Sequence, residues 1–452
     1  GSRGSGTSLA RIVAMAFRLA AVAAALGALR AVSAVGEQCR RHARRGPLKL
    51  GHGLRKLFLL RSNYTNLNHG SYGAPPRCVL EAEHAWQEQM ELNPDVWFRH
   101  DGPETCLGAL DAVRARLASH IGASRPEDVV FVDGASGGVN AVLRSVRLPP
   151  SSSILYLNTA YQMVKNTIQY VHEHDHLEKP LEVATTVPSS DDDVVATLER
   201  ALEEHPSVKL ASFSHITSVP AIILPVKRLV EACHRRGVMV LVDGAHALGQ
   251  IPINVEDIGA DFYVANGHKW LYSPKGSAFL WVAPEKQGLV HPNVINYEGR
   301  GATPFQVQFS YTGTKDYSAF LAMASALDFR ETMLGGDARI MAYMHSLASE
   351  GGSILAQSWG TEKLVNDSQI GAMVNVRLPD SAMTCCNLSL SDAMFKTHAT
   401  WVPVWKWQGR CFVRVSAQVY NELSDFRLLA LAARSALDAA ACRGREATAA
   451  YV

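Results

Sequence analysis

An α/β fold is predicted for this chain, with a large domain on a mostly parallel sheet and a smaller C-terminal α+β domain. Three observations carry that expectation. Short apolar runs rich in β-branched residues recur between residues 129 and 282. Helix-like stretches separate most of them, and the chemically capable polar residues fall where the runs end. Nearly continuous apolar strands alternating with helices describe a sheet buried on both faces. The 452 residues, 47% of them hydrophobic, suffice for two or three domains.

The elements follow in order. Residues 1–46 read as a targeting leader. They hold Arg3, Arg11, Arg18, Arg30, Arg40, Arg41, Arg44 and Arg45 against a single acid, Glu37. The uncharged run LAAVAAALGAL between Arg18 and Arg30 is too short to span a bilayer, and its flanks suit a signal or transit peptide. Residues 47–76 are a linker and arm, ending in the turn-rich NLNHGSYGAPP. A helix is expected over Arg77–Leu92 and a second over Glu104–Ile121. The large domain, 77–325, then places strands at Val129–Asp133, Ser153–Leu157, Val208–Ile216, Val238–Asp243, Asp261–Asn266 and Ser277–Val282. PVKRLVEACHRRG is a typical connecting helix, with Pro225 at its start and Gly237 as its stop. Residues 326–443 form the smaller domain, with strands Met373–Leu378 and Arg410–Ala417, and 444–452 are a tail.

Composition excludes some functions. A formal net charge of +2 leaves no nucleic-acid footprint. No later run reaches transmembrane length, so no membrane segment is expected in the mature chain. The cysteines Cys39, Cys78, Cys106, Cys233, Cys385, Cys386, Cys411 and Cys442 form no CxxC pair. That spacing argues against a zinc site or a disulfide framework and for mostly free thiols.

The chemistry sits at strand ends, where ligands bind in open parallel sheets. The strand VMVLVD ends in Asp243, with His246 one turn on, and DFYVANGHKW places His268 and Lys269 after the next strand. A buried carboxylate needs a cationic partner. A pyridinium nitrogen supplies one, and a desolvated lysine suits imine chemistry with an aldehyde. GASGG after VVFVD can expose helix N-terminal N–H groups to a phosphate, with Ser136 adding a hydroxyl. His215, Thr217 and Ser218 end the Val208 strand within reach of a ring oxygen.

These motifs resemble the class V aminotransferase family of fold-type I, pyridoxal-phosphate (PLP) dependent enzymes. LNHGSYGAPP, NPDVWFRHD, YTGTKDYSAFLA, VPVWKWQGRCFVRVSAQVYN and the DGAHALG and NGHKW segments are most similar to the isopenicillin N epimerase-like and cysteine C–S lyase branch. The resemblance implies a seven-stranded-type sheet, PLP as cofactor, a small-molecule α-amino acid as substrate, and a homodimer with shared active sites. It implies Lys269 as Schiff-base lysine and proton shuttle, Asp243 at the ring nitrogen, and His246 near the ring oxygen. Ala135, Ser136, Gly137 and His268 fall at phosphate positions, and Ser218 stands at a cofactor-contacting position. Tyr161 matches the aromatic that stacks on the ring. Thr314 matches a residue reaching the phosphate from a neighbouring subunit. Arg414 matches the clamp for the substrate carboxylate, and Asn68 and His69 line the substrate mouth.

The cysteine loop of desulfurases is not matched. A C–S lyase, eliminating at Cβ, is therefore the first expectation, because it needs one base and a good leaving group. An epimerase or an aminotransferase is the alternative, and a pseudoenzyme the non-catalytic one. A dehydrogenase would need a GxGxxG loop in the first β–α unit, which is missing. Arg99 and Arg300 read as solvated charges. Asn63, Asn366 and Asn387 begin N-x-S/T sequons that matter only on a secretory path.

Overall fold

The computed structural model describes Cys39 and residues 46–102, 105–296 and 299–438. Apart from Cys39 and Gly46, the expected leader lies outside the described residues, as does the 444–452 tail. No helix among the described residues is long and apolar enough to cross a membrane.

Seven strands form the main sheet: β1 (Val129–Val132), β2 (Ser153–Leu157), β3 (Leu181–Val183), β4 (Val208–Ser214), β5 (Met239–Asp243), β6 (Phe262–Asn266) and β7 (Ala278–Val282). Their spatial order is β1-β7-β6-β5-β4-β2-β3. The run from β3 through β2, β4 and β5 to β6 is parallel, and β7 alone is antiparallel to both its neighbours. Alternation along the strands divides the core. Val240 and Val242 of β5 pack into one cluster while Leu241 packs into the other. Tyr263 and Phe262 of β6 divide in the same way. That two-faced burial is what removed any polar alternation from the sequence. β3 escaped the reading because it is a three-residue edge strand with only Val183 buried.

Helices cover both faces. They include α1 (Arg77–Leu92), α2 (Cys106–His120), α3 (Ala135–Ser145), α4 (Gln162–His174), α5 (Asp191–Glu204) and α6 (Val226–His234). The start of α5 is fixed locally: Ser190 accepts from the Asp193 N–H while Asp193 reaches back to the Ser190 N–H. Asp191, Asp192 and Asp193 in its first turn also complement the helix dipole.

The smaller C-terminal part is built on a three-stranded antiparallel sheet. Its strands β8 (Met373–Arg377), β9 (Val404–Trp407) and β10 (Arg410–Ser416) lie in the order β8-β10-β9. Helices α7 (Asp337–Trp359) and α8 (Leu388–His398) pack on it, and α9 (Leu423–Asp438) packs against both of them. The β9–β10 turn is Gln408–Gly409 with φ of 46° and 73°, the paired left-handed geometry of a tight hairpin.

The cysteine expectation is overturned. Cys39 bonds Cys78 and Cys386 bonds Cys411, across 39 and 25 positions of sequence. Cys385 is disulfide-bonded as well. Among the described residues only Cys106 and Cys233 are free thiols, both buried. Close spacing was the wrong criterion, because the fold brings distant thiols together: Cys411 lies inside β10, against the segment that precedes α8.

Candidate active site

A cavity of about 680 Å³ opens beyond the carboxyl ends of β4, β5 and β6. Ser136, Tyr161, Ser218, Asp243, His246 and Lys269 are among its lining residues. Parallel pairing explains the convergence. Ser214 is in register with Asp243, and Asp243 with Val264, so three strand ends finish side by side. Residues far apart in sequence therefore share one wall.

Lys269 follows β6 in the NGHKW turn. Its Nζ lies 3.1 Å from Nε2 of His246. Desolvation, then the nearby Arg414 charge, lower its pKa from 10.5 to about 8, with Asp243 opposing. Burial, then the charge of Lys269, hold His246 well below the usual histidine range. A neutral imidazole at this spot accepts the lysine N–H at Nε2, which puts its own proton on Nδ1. That Nδ1 is buried and has no hydrogen-bond partner among the described residues.

Asp243 ends β5 and is 5% exposed. Among the described residues its only hydrogen-bond donor is the Ala245 N–H, 3.0 Å from Oδ1. Burial raises its pKa, against the Ala245 N–H and Lys269. The site thus holds a buried carboxyl group with room for a further donor.

The start of α3 forms another wall. The Ala135 N–H, expected to face a phosphate, instead donates to Asn266 Oδ1 at 2.8 Å. This contact ties α3 to the end of β6 and leaves the Ser136 and Gly137 N–H groups, whose place in the first turn gives them no intrahelical acceptor. A Cβ built on Gly134 or Gly137 would meet nothing closer than 3.8 Å, so both leave the approach to the helix end open. His268 stands beside Gly134. Burial first, then Lys269, lower its pKa to about 4, and its Nδ1 is buried without a partner among the described residues.

Arg414 projects from β10 directly behind the cavity wall. It is 2% exposed. Nη1 donates to the carbonyl and hydroxyl of Ser218 at 3.0 and 3.2 Å. Nη2 donates to Asn68 Oδ1 at 2.9 Å and Ser71 Oγ at 2.7 Å. Among the described residues every acceptor is neutral, and Nε has no partner. Burial pushes its pKa down to about 10, although Tyr161 and Tyr72 act to raise it. A buried guanidinium without a counter-ion is costly unless an anion visits.

Not every expected residue faces the cavity. His69, expected at the substrate mouth, is 1% exposed and serves the scaffold. Its Nε2 donates to the Lys269 carbonyl at 2.8 Å, while Nδ1 accepts from Tyr420 Oη at 3.0 Å. His215 is likewise turned into the core, bonded to Tyr263 Oη at 2.8 Å. Thr217 is fully buried and bonds the Pro220 carbonyl. Tyr161 lines the cavity and is 49% exposed. Thr314 does not line it. It is exposed, bonded to Tyr311 Oη at 2.7 Å, and lines a separate cavity with Arg99 and Arg300. Those arginines are paired, Arg99 with Asp95 at 3.2 Å and Arg300 with Asp101 at 2.8 Å.

Sequence reading missed the residues that brace the lysine turn. Two consecutive carbonyls, of Lys269 and Trp270, accept side-chain hydrogen bonds, and the His268 carbonyl before them is packed closely by glycine. A Cβ on Gly73, at φ 69°, would lie 1.7 Å from the His268 oxygen. His69 holds Lys269. Fully buried Arg330 donates to the Trp270 carbonyl at 2.8 Å and the Gly249 carbonyl at 3.0 Å, and pairs with Asp337 at 2.6 Å. A Cβ on Gly249, at φ 82°, would lie 2.6 Å from the Trp270 oxygen. The glycines of GSYG and ALGQ were the available signal; nothing in the sequence marked Arg330.

The cavity offers a poised amine, a buried carboxyl group awaiting a donor, unpartnered imidazole nitrogens and free N–H groups at a helix start. This set fits a pyridine aldehyde bearing a phosphate, with a carboxylate-seeking arginine beside it.

Comparison with known proteins agrees. Residues 73–429 match the family profile described as aminotransferase class-V. The chain is 31% identical over 407 residues to "Putative L-cysteine desulfhydrase 1" of Oryza sativa subsp. japonica, covering 80% of this chain and 81% of that one. It is 30% identical over 384 residues to "Isopenicillin N epimerase" of Amycolatopsis lactamdurans, covering 81% and 93%. Among solved structures it is similar to a C-DES mutant with glycine covalently linked to its PLP cofactor, with a TM-score of 0.73 at 18% identity, covering 85% and 99%. At that identity the likeness is one of fold.

Proposed function

The chain belongs to the aminotransferase class-V family, and on that premise we propose that it is a PLP-dependent C–S lyase, releasing the sulfur substituent from Cβ of cysteine or an S-substituted cysteine. The observation that carries the reading is a single cavity joining Lys269, Asp243 and His246, with Arg414 behind its wall, bonded to the lining residues Ser71 and Ser218 and without a counter-ion among the described residues.

When bound, PLP supplies an electron sink for the charge that develops at the substrate Cα. Lys269 would hold it covalently and Asp243 would bond its ring nitrogen. His246 and Ser218 would face its ring oxygen, and Tyr161 its ring face. Ser136, the Gly137 N–H and His268 would receive the phosphate. Asn266 keeps Ala135 in place for that end of the cavity.

The chain's own residues then act on the substrate. Arg414 binds the α-carboxylate, exchanging neutral acceptors for an anion in a fork geometry. Ser71 and Ser218 hold the guanidinium until then, and Asn68 orients it. Lys269 takes the Cα proton at Nζ. In the cofactor-free protein burial already lowers its pKa to about 8, toward the range that suits a base near neutral pH. Departure of the sulfur group with the Cβ–S bonding pair completes elimination, and hydrolysis of the released enamine gives pyruvate and ammonia.

Elimination is favoured over sulfur transfer to the protein because no free cysteine among the described residues lines the cavity. The separate placement of Thr314 supports a homodimer in which each chain lends it to the other's site. The test is a product screen on the PLP-loaded protein with L-cysteine, S-substituted cysteines and simple L-amino acids. Pyruvate with released thiol or sulfide is the expected result. Cα inversion without pyruvate would instead establish an epimerase, with Tyr161 as the candidate second proton donor.

A further inference from the structure

We propose that this chain matures in an oxidising, glycosylating compartment and carries N-linked oligosaccharides at Asn63, Asn366 and Asn387. Two independent observations lead there. The first is thiol pairing. Cys39–Cys78 and Cys386–Cys411 are disulfides and Cys385 is bonded too, which leaves Cys106 and Cys233 as the free thiols among the described residues. Such pairing persists in secretory compartments and is reversed in a reducing cytosol. The pairs tie Cys39 to α1 and the segment before α8 to β10.

The second is the placement of the sequons NYT, NDS and NLS. The buried asparagines Asn66, Asn68, Asn266, Asn375 and Asn421 begin none of them. Asn63 and Asn366 are exposed, and neither side chain bonds a described residue. Asn387 is half-buried. Its Oδ1 caps α8 by accepting the Ser389 N–H at 2.8 Å, which leaves Nδ2, the atom that takes a glycan, without a partner among the described residues. None of the three lines the Lys269 cavity or the Thr314 cavity, so glycans there leave both clear.

The chemistry balances with reagents of that compartment. Each cysteine pair gives two electrons and two protons to a disulfide-exchange oxidant. Each asparagine Nδ2 forms a bond to the first sugar of a lipid pyrophosphate-linked oligosaccharide. The sugar–phosphate bond breaks, the amide loses one proton, and the lipid pyrophosphate leaves.

The experiment uses the full chain recovered from its own cells. Free thiols are alkylated without reductant, and the protein is then treated with peptide N-glycosidase in heavy-oxygen water and mapped by mass. Expected are linked peptides for Cys39–Cys78 and Cys386–Cys411, and heavy-oxygen aspartate at positions 63, 366 and 387. Asn63→Gln, Asn366→Gln and Asn387→Gln should each remove one step of electrophoretic mobility while leaving turnover unchanged. Alkylation of all five cysteines without reductant would overturn the proposal. So would intact disulfides with three unmodified asparagines, the pattern of import into a non-glycosylating organelle.

Discussion

Replacing Arg414 with lysine isolates the carboxylate-binding step. The guanidinium is 2% exposed and holds Ser218 through Nη1 and Asn68 and Ser71 through Nη2. All these acceptors are neutral, so an incoming carboxylate displaces no bound anion. Lysine keeps the charge but offers a compact ammonium in place of two parallel N–H donors. One charge-assisted hydrogen bond to the substrate is then lost, about 1.5–3 kcal/mol. That corresponds to about a 10- to 150-fold fall in kcat/KM. The assay compares an S-substituted L-cysteine with its decarboxylated counterpart, following turnover or competitive binding, with melting curves to verify folding. The loss should fall on the carboxylate-bearing compound alone. An equal loss for both would refute carboxylate binding by Arg414 and reassign it to the scaffold.

The remaining predictions address the lysine, its braces and the subunit arrangement. Lys269→Ala should abolish turnover, and residual product formation would remove Lys269 from the mechanism. In the cofactor-free protein the folded pKa of Lys269, about 8, lies below 10.5, so the unfolded state binds more protons between those values and stability should rise across that window. Lys269→Met should flatten that rise and be the more stable protein at pH 7; parallel melting curves would expose an error in sign. Arg330→Met leaves the Trp270 and Gly249 carbonyls unpaired and should cost about 2–6 kcal/mol, at roughly 1–3 per buried group. Denaturant unfolding measures this, and a change below 1 kcal/mol would contradict the brace. Lys269→Ala and Thr314→Asp, each impaired alone, should regain activity when co-expressed, because one site of the mixed dimer then carries neither change; no recovery would place Thr314 in its own chain's site, and full activity of Thr314→Asp alone would place it outside both.

Much of the fold was legible because burial on both faces writes long apolar runs. β5 and β6 are buried along their length, or nearly so, and stood out at once. The short edge strand β3 and the partly exposed hairpin strand β9 carry weaker apolar patterns and did not stand out. The convergence of Asp243, His246 and Lys269 was legible for a related reason: in a parallel sheet, residues at successive strand ends meet on one rim. His69 shows the limit. Its place in a turn-rich arm suggested a mouth residue, yet Tyr420, 351 positions away, accounts for one ring nitrogen and the Lys269 carbonyl for the other.

The sequence by itself determined the alternation of strand and helix, the family, and the residues gathered at the strand ends. These follow from local patterns, in which apolar period and strand-end position dictate neighbours. Only the tertiary structure decided which groups are satisfied and which wait for a ligand. Arg414 without a counter-ion, the nearly free Asp243 carboxyl group, the Arg330 brace and the disulfide pairs all depend on contacts between distant segments. Such contacts are set by packing geometry, and no local pattern encodes them.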